Sequence, residues 1–434
     1  MPRTLHHHAP TVHSLPWSEP LPLARGLKDE YWALLYSGAQ AGYSGRYSYL
    51  AWNLKERIEA DDVSPLEKML AAGDERFDPA WFGYLGYGLK DSLETLTPET
   101  PGWLSLPRLC MMRFHAICEF DHEKKTLSLW SDLPDIALPE PAALISPTAT
   151  VADLRSPMTR QEYLDKVAAI IDRIHAGDLY QANFTRKFIG EFSETPDAFG
   201  LFMRLSQVSP APYSAFFKLG DTAILSSSPE RFLSIDTEGH VTARPIKGTA
   251  ARHADPARDA EARRELEESA KDKAENLMIV DLMRNDLARA CVPGSVEVKR
   301  LYEVTTHATI HHMSSTIAGI KRPECTALDV VKQCFPPGSM TGAPKIRAMN
   351  LCTELERQAR GVYGGAVGWF SGDGGCDLSV VIRTLIVKEK SFEFQVGGGI
   401  VADSTPASEL AESLAKARGI LQALGVPESA AERL

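Results

Sequence analysis

The chain has 434 residues, 44% hydrophobic and 24% charged, which suits a soluble globular protein of about two or three domains. A net charge of -10 and a pI near 5.7 exclude a basic nucleic-acid-binding surface. No apolar run reaches the roughly 18 residues of a membrane helix, and the N-terminus has no charged-then-apolar leader, so no membrane partner and a cytoplasmic location are expected.

Residues 1–22 are rich in Pro and His and are expected to be a poorly ordered leader; His6, His7 and His8 in it are too short a run for a tag. Strand-like sequence follows in Tyr31–Ser37, Gly45–Leu50 and Trp81–Tyr87. Leu109–Phe120 and Thr126–Trp130 flank a polar turn and predict a hairpin. Residues 131–157 carry Pro134, Pro139, Pro141 and Pro147 among Ala, Asp and Ser and read as a linker. It separates a β-rich N-terminal region, residues 1–150, from a second region, residues 157–434.

Thr159 and Glu162 form a capping box ahead of a helix with the stripe Leu164, Val167, Ile171 and Ile174, which Gly177 ends. A strand over Leu179–Thr185 is expected next, with polar residues alternating along it. Residues 213–219, 223–227, 231–235 and 240–246 read as antiparallel strands. One long helix is predicted from Pro256 to about Ala290, then helices over Ala327–Cys334 and Pro344–Leu355. Leu378–Val387 and Phe392–Val396 predict a hairpin, and Thr405-Pro406 opens a last helix with the stripe Leu410, Leu414, Ala417, Leu421 and Leu424. Paired strands and blocks of helices argue for an α+β fold and against a βαβ repeat. The seven cysteines contain no C-x-x-C pair and read as reduced thiols.

Several stretches can carry chemistry. Arg244-Pro245-Ile246-Lys247-Gly248-Thr249 delivers one lysine from a strand onto a Gly-Thr turn, where an amine nucleophile can be presented; an ordinary surface lysine is the plainer reading. Asp272 with Glu275, and Glu409 with Glu412, lie three apart on predicted helices, so each pair shares a face. Two such pairs suit Mg²⁺, which takes one or two carboxylates plus substrate oxygens, although Glu412 with Lys416 also fits a simple surface pair. Gly338–Lys345 opens a helix and offers backbone donors to an anion, Gly397-Gly398-Gly399 is a second candidate anion nest, and Arg383 can clamp a carboxylate. Together they point to a small substrate with more than one carboxylate.

These stretches, with Ser226–Phe232, Glu275–Asp286, Ile382–Thr384 and Gly397–Ser404, resemble the chorismate-utilising enzymes over roughly 157–425. The resemblance implies large antiparallel sheets packed as a sandwich with helices outside, and a chorismate-binding catalytic region at 157–434. Within the family, the chain is most similar to the aminodeoxychorismate synthase branch. That branch resembles this chain in Pro-Ile-Lys-Gly-Thr, whereas anthranilate synthase component I typically has Ala at the place of Lys247. Isochorismate-type enzymes carry a lysine where this chain has Gln181. The resemblance implies Mg²⁺ held by Glu275 and Glu412 with Glu409 and Asp272 behind them; relatives often have Glu at the last position. It implies chorismate held by Arg383, Gly397, Gly398 and Gly399, with Thr249 and Lys416 in the substrate set. It further implies Lys247 as covalent nucleophile, Glu230 as general acid and His312 as an orienting group. No cysteine lies in a Gly-x-Cys-x-Gly elbow, so ammonia is expected from a separate glutamine amidotransferase subunit. A tryptophan-type regulatory pocket in the N-terminal region is part of the resemblance, from which this chain departs at Tyr36 in Leu34-Leu35-Tyr36-Ser37. The rivals are anthranilate synthase component I and a non-catalytic regulatory paralogue; the intact Lys247, Glu275 and Glu412 argue against the second.

Overall fold

The computed structural model describes residues 11–37, 45–70, 80–145, 149–306 and 310–434. Its named strands pair antiparallel throughout, in two sheets that share one long strand, Leu109–Asp121. The first sheet runs outward from that strand through Tyr47–Ala60, Tyr31–Tyr36, Tyr213–Leu219, Thr222–Ser228, Thr384–Lys388, Ser391–Ile400 and Gln181–Phe192. The second runs through Ala80–Leu85, Ala366–Ser371, Cys376–Val380, Arg231–Ile235, His240–Arg244 and Ile310–Ile320 to an outer strand, Glu297–Thr306. The shared strand manages this because its first half pairs with Ala80–Leu85 and its second half with Thr126–Ser131, on the same edge.

The sheets pack face to face. Ala33, Ala51, Phe217 and Ile386 of the first sheet meet Phe82, Tyr84 and Val367 of the second in one buried cluster. The outer face of the first sheet, with Trp32, Leu50, Phe188 and Phe394, is covered by the helices Ala198–Val208 and Pro406–Leu424. The outer face of the second, with Leu233, Val241 and Ile317, is covered by Ala270–Ala288 and Ala327–Cys334. The expected α+β sandwich with helices outside is therefore the fold observed.

Local signals placed many elements well. The Thr159–Glu162 capping box starts the helix Arg160–His175, and Thr405 caps Pro406–Leu424. The sequence reading differs from the structure in several places, among them the strand expected over Leu378–Val387, which is two, Cys376–Val380 and Thr384–Lys388. Residues 11–22 are not a loose leader: Thr11–Leu15 pairs with Thr126–Ser131, and a helix begins at Pro20. His6, His7 and His8 lie outside the described residues. The single helix expected over 256–290 is two, Pro256–Glu268 and Ala270–Ala288, because Ser269 leaves helical geometry and its hydroxyl accepts from the Asp272 amide. Within the linker, Val151–Arg155 adds a strand to Gln181–Phe192. Of the two readings open for the polar residues on that neighbouring strand, facing a site or lying on an exposed face, their burial rules out the second.

Candidate active site

Lys247 sits in a β-bulge, not at a turn. Pro245 interrupts the strand, yet both His240–Arg244 and Ile246–Ala251 pair with Ile310–Ile320. Ile246 stands opposite Ser314 and Thr249 opposite His312, so Lys247 and Gly248 together face one residue. Gly248 has φ +90, and an added Cβ there would sit 3.0 Å from both Asp272 and Leu266. The extra residue aims the lysine: its Nζ lies 3.2 Å from where a Cβ on Gly399 would be. Gln181 Nε2 crowds the same point at 2.5 Å. Neither the oxygen nor the nitrogen of this fully buried amide has a hydrogen-bond partner among the described residues. The sequence offered Gln181 as a family discriminator and as one of the polar residues of a strand that could face a site; its unsatisfied amide beside Lys247 emerges from the fold.

The glycine run is not a nest. Gly397, Gly398 and Gly399 are extended within Ser391–Ile400 and pair with Thr185, Phe184 and Asn183. None has the positive φ that a nest requires. Their use is the missing side chain: a Cβ on Gly398 would stand 2.9 Å from Glu409 Oε2 and 3.5 Å from Glu412 Oε1. Lys416 donates to the Gly397 carbonyl at 2.8 Å and to Glu412 at 2.7 Å.

The two acidic pairs ride on helices that cover different sheets, yet Glu275 and Glu412 come within electrostatic reach. Burial raises the Glu275 carboxyl above its ordinary value, with Asp272 and Glu412 adding to it against Lys247 and Lys271. Burial also raises Glu409, whose Oε1 accepts from Ser404 at 2.6 Å while Oε2 has no partner among the described residues. For Glu412, burial is outweighed by Lys416, Lys247 and Lys271, which leave it lowered. Lys271, 3.8 Å from Glu275, is a member of this charge cluster that the sequence reading missed; its i,i+4 spacing to Glu275 was the available signal. No group of three or more His, Cys, Asp or Glu among the described residues is arranged to hold a metal by itself. Asp272 packs against the bulge at Gly248.

Glu230 is buried, and desolvation pushes its carboxyl up to about 7 against the pull of Lys247. The buried Ser339 of the Gly338–Lys345 loop lies near the same carboxyl and favours its charged form, although its hydroxyl makes no hydrogen bond among the described residues. The rest of that loop is structural: Lys345 bonds Asp286 at 2.9 Å and the Cys334 carbonyl at 2.8 Å, and Gly342–Ala343 pairs with Gln181 and Ala182. Arg383 occupies the left-handed region at φ +51, between Cys376–Val380 and Thr384–Lys388. Its guanidinium makes no hydrogen bond or ion pair among the described residues, and burial lowers it, with Tyr363 and Glu412 opposing. Arg383 thus combines partial burial, a left-handed backbone and a guanidinium without a hydrogen-bond or ion-pair partner among the described residues. His312 is buried, while Thr249 opposite it is exposed.

The site combines a lysine, an arginine without a side-chain partner among the described residues, mutually repelling carboxylates and a raised acid. The model of the chorismate binding enzymes matches residues 31–422. The chain belongs to the chorismate-binding enzyme family. It is 40% identical over 347 residues to aminodeoxychorismate synthase component 1 of Klebsiella aerogenes, covering 79% of this chain and 76% of the relative. It is 34% identical over 440 residues to anthranilate synthase component 1 of Streptomyces coelicolor, covering 93% and 85%. Among solved structures it is similar to anthranilate synthase component I of Streptococcus pneumoniae, with a TM-score of 0.76 and 28% identity, covering 88% of this chain and 93% of that one.

Arg360 ties the strand that carries Gln181 to the loop that carries Ser339. Arg360 is buried, pairs with both oxygens of Glu356, and donates to the carbonyls of Met340 and Asn183 at 2.7 Å each. Arg360→Ala would strand the Glu356 carboxylate in the interior, so unfolding free energy should fall by about 3–5 kcal/mol. Urea titration reads this directly; a loss within error of zero would mean that water replaces the guanidinium.

Leu35, Tyr36 and Ser37, from the stretch linked to a tryptophan-type pocket, line a cavity of about 250 Å³ with Tyr213, Arg231 and Trp369. The one carboxylate among its described lining residues, Asp377, is held by two Arg231 nitrogens at 3.0 and 2.9 Å. Elsewhere, all seven cysteines are free thiols, and no helix of the described residues is long and apolar enough to cross a membrane.

Proposed function

We propose that this chain is an aminodeoxychorismate synthase component I, which converts chorismate and ammonia to 4-amino-4-deoxychorismate, a precursor of p-aminobenzoate and folate. The observation that carries the reading is Lys247, aimed by a bulge at Gly399 and Gln181 and surrounded by Glu230, Glu275 and Glu412. An amine nucleophile divides one hard substitution into two easier ones. Lys247 Nζ bonds to the ring carbon next to the carboxylate-bearing one, both ring double bonds shift by one position, and the 4-hydroxyl leaves as water with a proton from Glu230. Ammonia then bonds at position 4, both double bonds return and the bond to Lys247 breaks, which releases its amine. The proton shed by the new amine restores Glu230. Arg383 takes the enolpyruvyl carboxylate.

Magnesium fits the residues present. Glu275 and Glu412 would hold it, because they repel each other as like charges, and Glu409 Oε2, beside Gly398 and without a partner among the described residues, backs them. Two carboxylates leave the remaining positions to water and substrate, the arrangement Mg²⁺ favours, and the ion would supply charge stabilisation at the ring carboxylate.

The deciding test is product identity. With chorismate, ammonium and Mg²⁺, the purified chain should form 4-amino-4-deoxychorismate; fluorescent anthranilate would transfer it to the sister activity of its Streptomyces coelicolor relative. Since no cysteine lies in an amidotransferase elbow, glutamine should serve only after a glutaminase subunit is added. Glutamine-dependent turnover by the chain alone would refute a separate ammonia donor.

A general acid must be protonated, so with Glu230 at about 7 the rate should fall as pH rises through neutrality. Glu230→Gln should cost about 10²–10⁴-fold in kcat and remove that limb of the profile. An unchanged profile in the variant would place the titration on another group.

A further inference from the structure

The two acids on the helix Pro406–Leu424 are oriented by different means. Glu412 is held by a cation, Lys416, at 2.7 Å. Glu409, three residues earlier, makes no ion pair among the described residues. Its carboxylate has one hydrogen-bond partner there, the Ser404 hydroxyl at 2.6 Å, and both residues are buried.

The direction of that hydrogen bond is fixed. The Val401 amide can only donate, and it donates to Ser404 Oγ at 3.1 Å. The hydroxyl hydrogen is thereby left for Glu409 Oε1, which can only accept. The helix itself does not use Ser404. Thr405 caps it, accepting from the Ser408 amide at 3.3 Å. Two adjacent hydroxyls thus divide the work, one for the helix end and one for an acid five residues on. With Oε1 taken, Oε2 is the oxygen that Glu409 presents. It lies 2.9 Å from where a Cβ on Gly398 would be, and Glu412 Oε1 lies 3.5 Å from the same point. Glu409 Oε2 has no partner among the described residues. A hydroxyl orients a carboxylate without neutralising it, whereas a lysine at 404 would cancel the charge that a cation needs.

We propose that Ser404 is a positioning residue of the Mg²⁺ site: its hydroxyl fixes Glu409 with the free oxygen on the side of Glu412, to back an ion held by Glu275 and Glu412. The inference rests on the magnesium reading given above.

The test is calorimetric titration of the purified chain with MgCl₂, without chorismate. Ser404→Ala should weaken Mg²⁺ binding about ten- to a hundredfold, the usual scale for losing a group that orients a ligand. Ser404→Thr keeps the hydroxyl and should bind as the wild type does. In a Glu409→Gln chain, Ser404→Ala should cost nothing further, because the serine acts only through that carboxylate. Undiminished affinity in a folded Ser404→Ala chain, an equal loss in Ser404→Thr, or full additivity with Glu409→Gln overturns the proposal. Should the alanine variant fail to fold, Ser404→Cys, whose thiol is a weak donor, replaces it in each comparison. A wild-type chain that takes up no Mg²⁺ removes the magnesium reading and this inference together; a wild type that binds, with variants that bind equally well, removes this inference alone.

Discussion

Lys247→Arg is expected to reduce turnover by on the order of 10⁴-fold, the scale of removing one member of a catalytic set. The guanidinium keeps a positive charge among Glu230, Glu275 and Glu412, so electrostatics alone would be preserved. What it cannot do is add to a carbon. Lys247→Ala loses both properties and copies the residue typical of anthranilate synthases. It should retain weak activity by direct attack of ammonia, or drift toward anthranilate. On the native chain, chorismate without ammonia should leave an adduct on Lys247 with the mass of chorismate less one water, visible by intact mass. Wild-type rates in both variants together with no adduct would reduce the lysine to a positioning charge.

Glu275→Gln and Glu412→Gln should each abolish chorismate turnover, as should a chelator acting on the wild-type chain. The second readout separates catalysis from folding. Glu275 and Glu412 raise each other's cost while no cation lies between them, and Glu275 is already held above its ordinary value by burial. Neutralising Glu275 therefore should leave the melting temperature in chelator equal to or above that of the wild type, while Mg²⁺ no longer shifts it upward. Full activity in excess chelator would remove the metal from the mechanism. A fall in melting temperature in chelator would mean that Glu275 serves the fold.

Much of the architecture could be read from local rules, because capping boxes and period-two alternation act within a few residues. The Thr159 and Thr405 caps are examples. The strands Glu297–Thr306 and Ile310–Ile320 received no assignment, since two register shifts and Tyr302 at φ +59 break the alternation that identifies a strand. The Ser269 cap was legible as Ser-x-x-Asp, but helix-forming neighbours on both sides outweighed it. The glycine triplet was misread because three glycines fit a nest and an extended strand equally; only pairing with Gln181–Phe192 decides between them. For the site, helical spacing gave each acidic pair its own face. That helices covering different sheets would bring Glu275 to Glu412 came from the family resemblance, not from spacing. The unsatisfied Gln181 amide carries no sequence signal, because it is defined by partners it lacks among the described residues.

The bulge at Lys247 makes catalysis a matter of parity. Ile246 and Thr249 bracket two residues against one, Met313, which is itself buried. Deleting Gly248 would restore one-to-one counting and seat Lys247 directly across from Met313, on that residue's side of the sheet. Such a chain would lose no charged group and no acid, base or nucleophile, only a glycine, yet its amine would point away from Gly399. The length of this strand, odd by one, is as much a part of the chemistry as the lysine it carries.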